Sequence, residues 1–378
     1  MSRPSRKKVV TILLPAVASS MRDIVRGIAE EAAATGQWHL VLHLWGQVGE
    51  ADVRWINQGD GLIFEEPLET SPVTSPKWTV PAVAVQMPHL AEHYPMVTTD
   101  YIQVGYRAAS YFLKKGLTHL AYLSYEEGDS AEAGFLEVAN EAGQTISTHY
   151  LGPDQPELDD RARRDLVHWL AELPPPVGLF TRDDFLAQKV MDWIPPEWMP
   201  ERLALLGVGN DSIICELTRP TLSSVERNAR EIGRAAARLL QRIMEGESMP
   251  PQAFLLEPGQ VIERQSTGLR YTADPLITKA VRLIEETLAD APPANELCTR
   301  LKVSRSTLEK RFMATLGQTI WQQRRHLQLE HAKYLLATTS DSMSSIAEQC
   351  GFANQQRLTE AFRRNTGITP SRYRAKTK

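Results

Sequence analysis

Residues 303–320, VSRSTLEKRFMATLGQTI, and residues 353–370, ANQQRLTEAFRRNTGITP, are one pattern written twice, 50 residues apart. Leu308, Phe312, Gly317, Thr319 and Arg324 recur as Leu358, Phe362, Gly367, Thr369 and Arg374. Each copy reads helix, tight turn, helix. In the first, a helix over 295–301 precedes Lys302 and Val303, and Ser304 can cap a second helix through Ala314. In the second, a helix over 344–350 precedes Gly351 and Phe352, and Asn354 can cap a helix through Asn365. Gly317 and Gly367 stop these helices, since glycine takes the left-handed conformation cheaply. Thr319 and Thr369 then cap the next helix, with Pro370 at its favoured first position.

A second helix of this kind must be apolar on one face to dock and must carry hydrogen-bond donors on the other. Leu308 and Phe312 supply the docking face of one unit; Leu358, Ala361 and Phe362 supply that of the other. The opposite faces offer Ser304, Arg305, Ser306, Thr307, Lys310 and Arg311, then Asn354, Gln355, Gln356, Arg357, Arg363 and Arg364. Arginine pairs with guanine edges, Asn or Gln with adenine edges, and both Lys and Arg neutralise phosphates. Double-stranded DNA is therefore the expected partner. Between the units, residues 320–338 read as one helix with Leu329, Ala332, Leu335 and Leu336 inward. At 1.5 Å per residue it is roughly 28 Å long. That suits two reading helices about one DNA turn, ~34 Å, apart on one face of the duplex.

Charge follows the same division. From Pro275 onward there are 17 Lys+Arg against 9 Asp+Glu, a net +8, which leaves −12 for the rest of a chain whose total is −4. A basic module joined to an acidic one is the electrostatic footprint of nucleic-acid binding at one end. At 378 residues, 42% hydrophobic and 23% charged, the chain suits two or three soluble domains. No stretch approaches the ~20 apolar residues of a membrane span. The run after MSRPSRKK is too short for a secretory signal and reads as a buried strand, so a cytoplasmic protein is expected. Cys215, Cys298 and Cys350 are far apart without a CxxC pair, which supports neither a disulfide framework nor a zinc site. No cofactor is expected.

Ahead of the repeat, from residue 8 to about 265, strand-like runs alternate with amphipathic helical patterns. Strands are expected at 9–14, 39–44, 61–64, 81–85, 120–124, 177–181 and 203–208; helices at 22–35, 101–115, 131–142, 161–173, 184–193 and 227–245. Such alternation implies parallel sheets wrapped by helices, in two lobes at this length. The polar stretch that carries Gly268 and ends at Pro275 reads as a linker, after which the periodicity is purely helical. The expected division is a two-lobed α/β domain over 1–265, a linker over 266–275 and an all-α domain over 276–378. Ligands of doubly wound α/β folds sit beyond the carboxyl ends of the strands. That rule makes Ser19, Ser20, Arg22, Asp100, Asp183, Asp184, Asn210 and Asp211 candidates for contacting an effector, with Trp45 or Trp55 available to stack on a sugar ring. Asp100, Asp183 and Asp184 stand at helix starts and can equally be caps.

The string from ELCTRLKVSRSTLEKRF to GITPSRYR resembles the DNA-binding domain of AraC/XylS-type regulators, notably in CGF, in Gly-x-Thr-Pro and in Tyr373-Arg374. Leu358 stands where that family often has Phe. TTDYIQVGYRAASYFLKKGLTHLAYL and LALLGVGNDSIICELTRPTLSSVERNAREIGRAAARLL resemble the effector domain of LacI/periplasmic-binding-protein-type proteins. Together the resemblances imply a transcription activator of sugar-utilisation genes. They imply a small sugar effector, a pentose such as D-xylose, a homodimer joined through the first domain, and RNA polymerase as a further candidate partner. The chain departs from the second family twice. Gly209 replaces the Asp of a Gly-x-Asp-Asn pattern, and Ala131 replaces an Arg three residues before Gly-Phe. Both changes remove hydrogen-bonding groups from the expected cleft.

Other classes fit less well. A sugar-binding protein without direct DNA regulation leaves the basic helical tail without a task. An enzyme is disfavoured because no nucleophile elbow, P-loop, HExxH or metal cluster stands in the sequence.

Overall fold

A computed structural model describes the chain except residues 1–5, 16–18, 45–49, 66–77, 153–158, 269–273, 291–292 and 378. Trp45 and the middle of the expected linker lie outside the described residues. The chain divides into two compact units: Met1–Lys114 with Thr118–Gly268, and Leu269–Lys378 with Lys115–Leu117.

The first unit holds two six-stranded sheets. In the first lobe they are fed by β1 (Lys8–Leu14), α1 (Ser19–Thr35), β2 (Trp38–Leu44), α2 (Glu50–Ile56), β3 (Gly61–Phe64), β4 (Ala82–Val85) and β5 (Pro95–Thr99). The chain then crosses to the second lobe through α3 (Tyr101–Lys114), β6 (His119–Ser124), α4 (Ser130–Glu141), β7 (Thr145–Tyr150), α5 (Asp160–Glu172), β8 (Val177–Thr181), α6 (Asp184–Trp193), β9 (Leu203–Val208), α7 (Ser212–Leu217) and β10 (Ser223–Val225). It returns through α8 (Ala229–Met244) and β11 (Gln252–Leu256), and crosses once more to β12 (Val261–Ile262). The sheet orders are β2-β1-β3-β4-β5-β11 and β7-β6-β8-β9-β10-β12, parallel throughout except for β12 against β10.

Burial explains why these runs are strands. GLIF, AVAV, VGLFT and LALLGV are buried along their whole length, the signature of parallel strands covered on both faces. In the first lobe, Ile24 and Ile28 of α1 and Ile232, Ala236 and Leu240 of α8 pack over Ile12, Ile63 and Val83. Leu13, Leu62, Phe64 and Met96 form the core on the other face. Tyr122, Phe135 and Phe180 stack within 6.0 Å of one another in the second lobe.

The three crossings between the lobes are laced together. Asp100 N donates to Leu256 O at 2.8 Å, Gly259 N to Glu226 O at 2.7 Å, and Thr99 Oγ1 to Arg227 O at 3.0 Å. The lobes thus share one hinge made of three segments.

The second unit is helical: α9 (Pro275–Glu286), α10 (Ala294–Leu301), α11 (Arg305–Leu316), α12 (Ile320–Thr338), α13 (Met343–Gln349), α14 (Gln355–Thr366) and α15 (Pro370–Thr377). It has two cores. Ile277, Val281, Ile284, Leu297, Leu308 and Phe312 make one; Leu329, Ala332, Leu336, Ile346, Leu358 and Phe362 make the other. The long α12 contributes Ile320 to the first and Leu329 to the second.

Candidate nucleic-acid interface and effector cleft

The helix-turn-helix units are built by their caps. Ser304 Oγ accepts from Thr307 N at 3.2 Å and Asn354 Oδ1 from Arg357 N at 3.0 Å. Thr319 and Gln322 close a reciprocal capping box at the start of α12. Both second helices run two or one residues beyond expectation, to Leu316 and Thr366, and end on left-handed Gly317 and Gly367. The period of 50 therefore holds from cap to stop. It slips in the turns: the left-handed residue is Lys302, two before its cap, but Gly351, three before its cap. Val303 and Phe352 then donate back to Cys298 O and Ala347 O, the same closure reached with one more residue in the second turn.

Leu308, Phe312, Leu358 and Phe362 are fully buried, so the faces opposite them are exposed. Arg305, Ser306, Thr307 and Lys310 lie exposed on α11, and Gln355, Gln356, Arg357, Arg363 and Arg364 on α14. Two expected readers are partly engaged. Arg305 Nε bonds Glu309 at 2.8 Å, and Arg357 Nη1 bonds Glu360 at 3.3 Å. Arg311 is different: both its Nε, at 2.5 Å, and its Nη2 bond the carboxylate of Asp274, which caps α9. Its guanidinium fastens α11 to α9.

In the first unit the strand ends deliver a polar cluster between the lobes. Glu65 follows β3, Gln86 β4, Tyr101 stands two residues past β5, Arg182 follows β8, and Arg227 stands two residues past β10. Arg227 is the hub. Its Nη1 donates to Tyr101 Oη at 3.2 Å and its Nη2 to Ser20 Oγ at 3.0 Å. The Arg182 guanidinium lies 4.5 Å from the Tyr101 ring centroid, and its Nε is 3.5 Å from Asp129 Oδ2. Burial pushes the Tyr101 phenol up, but the two guanidinium groups outweigh it and hold the phenol below its usual range. Burial drives Glu65 up to about 7, against the pull of Arg227. Burial likewise drives Asp184 up to about 6, although Ser224 Oγ and Asp211 N both donate to its carboxylate, at 2.6 and 2.7 Å.

A cavity of about 490 Å³ opens beside this hub, lined among others by Ser20, Asp23, Gly209, Asn210, Arg227 and Arg230. Of the residues singled out in the sequence, Ser20 and Asn210 line it, and Asp184 stands behind Gly209. Asn210 Oδ1 accepts from Arg264 at 2.7 Å. Asp100 and Asp183 act as caps, accepting from Gln103 N at 3.2 Å and Leu186 N at 2.8 Å. They do not line the cavity, nor does the half-buried Arg22. Trp55 is 44% exposed on α2, beside His43. Glu65, Gln86, Arg182 and Arg227 were not among the expected residues, although the strand-end rule points to each; β3, β4 and β10 are only four, four and three residues long.

The two departures in the sequence have physical counterparts. A Cβ at Gly209 would lie 3.1 Å from both Arg227 Nη2 and Asp184 Oδ2, so the space of the missing Asp is occupied by another carboxylate and its counter-cation. Ala131 is buried at the start of α4. Asp129, the cap of that helix, receives Arg182, which brings a guanidinium to the region the missing Arg left.

Comparison with known proteins agrees with both halves. The model of a periplasmic binding protein-like domain matches residues 109–267, and that of a helix-turn-helix domain residues 297–376. The xylose operon regulatory protein of Escherichia coli (strain K12) is 29% identical over 98% of this chain and 97% of its own. That of Haemophilus influenzae is 29% identical over 75% of each. The solved structure of a xylose-binding transcription activator, xylR, matches with a TM-score of 0.74 at 28% identity, over 99% of both chains. Part by part and along its whole length, the chain shares the organisation of these regulators: a periplasmic binding protein-like domain ahead of a helix-turn-helix domain.

Proposed function

We propose that the chain is a cytoplasmic activator of sugar-utilisation genes whose effector is a pentose such as D-xylose. The observation that carries the reading is one polar cleft, with Arg227 at its centre, in the same chain as two capped helix-turn-helix units. Its likeness to xylose operon regulatory proteins supports the choice of sugar. Ser20, Asn210 and Arg227 offer donors and acceptors to sugar hydroxyls, with Asp184 behind them. Residues 304–307 and Lys310 of the first unit, and 354–357 with Arg363 and Arg364 of the second, contact the operator at base edges or phosphates.

Arg227 touches Ser20 of one lobe and Tyr101 at the hinge, so a ligand that bonds it acts on lobe closure directly. The effector shifts a population toward the closed lobes only by the difference of its affinities for the two states. Operator and sugar affinities are then coupled reciprocally. A homodimer formed by the first domain would place two readers on direct or inverted half-sites, with RNA polymerase as the recipient of activation. The carboxylates that follow β8 and β9 hold structure: Asp183 and Asp211 cap helices and Asp184 is bonded by Ser224. We therefore read the protein as a regulator and not an enzyme.

The test is fluorescence anisotropy at fixed salt on the intergenic DNA beside the encoding gene, with and without D-xylose, against a scrambled duplex. Specific binding changed by xylose is expected. Specific binding indifferent to xylose overturns the effector; absence of specific binding by folded protein overturns the reader.

A further inference from the structure

The first turns of α12 carry a feature that has no counterpart in the repeat. Trp321 is 65% exposed, and the Arg325 guanidinium lies 5.3 Å from its ring centroid. The same guanidinium lies 4.8 Å from the ring of Phe352, in the turn that precedes α14. Fifty residues on, the equivalent positions are Ser371 and Ala375. The stack therefore belongs to the junction of the two units, where Gln328 Nε2 also donates to Gly351 O at 3.0 Å.

Two aromatic planes fix the orientation of a guanidinium without using its N–H groups. Arg325 has no hydrogen bond and no ion pair among the described residues, and the same is true of Arg364 on α14. Burial and repulsion from Arg357 and Arg364 both act against the charge of Arg325. Among the described residues, the carboxylate bonded to these three arginines is Glu360, on Arg357. Arg325 therefore stands in the field of two further guanidinium groups on α14, the helix whose cap presents Asn354 and Gln355 to solvent. Like charges held near one another repel, and a polyanion that joins them relieves that repulsion. An arginine clamped between aromatic rings has also lost its rotamer freedom in advance, so little remains to lose when an anion binds.

We propose that Arg325, clamped between Trp321 and Phe352, forms with Arg364 and Arg357 a phosphate site for the operator backbone, which anchors the second helix-turn-helix unit. Arg325 makes the contact, and Trp321 is its positioning residue. The inference rests on the reading of the chain as a DNA binder. It adds to that reading a contact from outside both helix-turn-helix units, one that carries no sequence information. Phosphate contacts of this kind fix register and orientation, and base edges supply the discrimination.

The test is the salt dependence of binding by the full-length protein to the intergenic DNA and to a scrambled duplex. For Arg325→Gln, the slope of log K against log salt is expected to fall by about 1, one phosphate fewer, equally on both duplexes. Arg325→Lys retains the charge and is expected to keep the slope while binding several-fold more weakly, because an ammonium does not stack as a fork does. Trp321→Ala is expected to do the same. An unchanged slope in folded Arg325→Gln overturns the site. So does a loss confined to the specific duplex, which would make Arg325 a base reader. If Arg325→Gln does not fold, a slope in Arg325→Lys lower by about 1 overturns it as well. Wild-type protein that binds neither duplex would overturn the DNA reading itself, a result distinct from all of these.

Discussion

The backbone N–H of Ser19 donates to Asp211 Oδ2 at 2.7 Å, and Ser212 N donates back to Ser19 Oγ at 3.1 Å. Ser19 begins α1 of the first lobe, and Asp211 caps α7 of the second, where its other oxygen accepts from Ile213 N and Ile214 N. The pair is a latch across the cleft that lies far from the hinge in sequence. Asp211→Ala removes both latch and cap. A hydrogen bond to a charged group contributes ~1.5–3 kcal/mol, and here it favours closed lobes. We expect sugar affinity to fall roughly tenfold or more, with a larger radius of gyration by small-angle scattering. Asp211→Asn, which retains an acceptor for the cap, should lose less. An unchanged affinity in the Ala variant would show that the latch does not contribute to closure.

The raised pKa of Glu65 predicts a pH dependence with a definite sign. Its folded value, about 7, lies above the ordinary 4.5 because the carboxyl is buried. The folded state therefore binds the proton more tightly than the unfolded state. The stability contributed by the protonated form is complete below about pH 4.5 and is lost as pH rises through about 7. Glu65→Gln removes this loss. The variant should match the wild type near pH 4.5 and exceed it at pH 8 by at most about 3 kcal/mol, measured by denaturant unfolding of the ligand-free protein. A difference that does not depend on pH would mean that Glu65 is ionised throughout.

What could be read in the sequence depended on how local its cause was. Caps and stops at Ser304, Gly317, Asn354 and Gly367 were legible because a cap is decided by four or five adjacent residues. VGLFT and LALLGV were legible to the residue because both faces are buried. The strands PMVTT, TISTHY and SSV were not: a leading Pro, polar faces or a length of three gives no periodicity, and only pairing with a neighbour makes them strands. The cleft followed the same division. Asn210 and Asp184 were found from their position after apolar runs, whereas Arg227 owes its place to a three-residue strand whose partners are remote.

Restoring the family's Asp at position 209 should therefore harm the protein. Gly209 has φ +126, which L side chains rarely adopt, and a Cβ there would crowd Arg227 and Asp184 at 3.1 Å. Gly209→Asp adds a second carboxylate beside one that burial already disfavours. We expect a loss of about 2–4 kcal/mol by denaturant unfolding, from backbone strain and like charge together, and weaker sugar binding. Tighter sugar binding by this variant would show that the cleft has room for the added carboxylate.

Arg311 should separate from the other basic residues of its helix. Its guanidinium is held by both oxygens of Asp274, at the start of α9. Arg311→Ala should lower the thermal midpoint of the helical unit and leave the salt slope of DNA binding unchanged. Lys310→Ala, exposed and without that tie, should lower the slope by about 1 and leave the midpoint in place. If Arg311→Ala lowers the slope as well, the guanidinium exchanges Asp274 for a phosphate on binding.

The turn glycines of the two units give the sharpest comparison, because three share a left-handed backbone and only one is enclosed. Gly317 and Gly367 have φ +65 and +76, and a Cβ at either meets nothing within 4 Å. Alanine there meets only the conformational penalty of about 1 kcal/mol. Gly351 has φ +68, and its Cβ would lie 2.0 Å from Leu288 O, a backbone atom that can yield only by moving the end of α9 and the segment after it. Lys302 occupies the left-handed position of the first turn with a full side chain, since its Cβ side is open to solvent. Gly351→Ala should accordingly cost more than 3 kcal/mol and abolish operator binding, while Gly317→Ala and Gly367→Ala remain folded and bind DNA. Equal losses at all three positions would assign the effect to backbone conformation alone and remove any role for the close approach of Gly351 to Leu288.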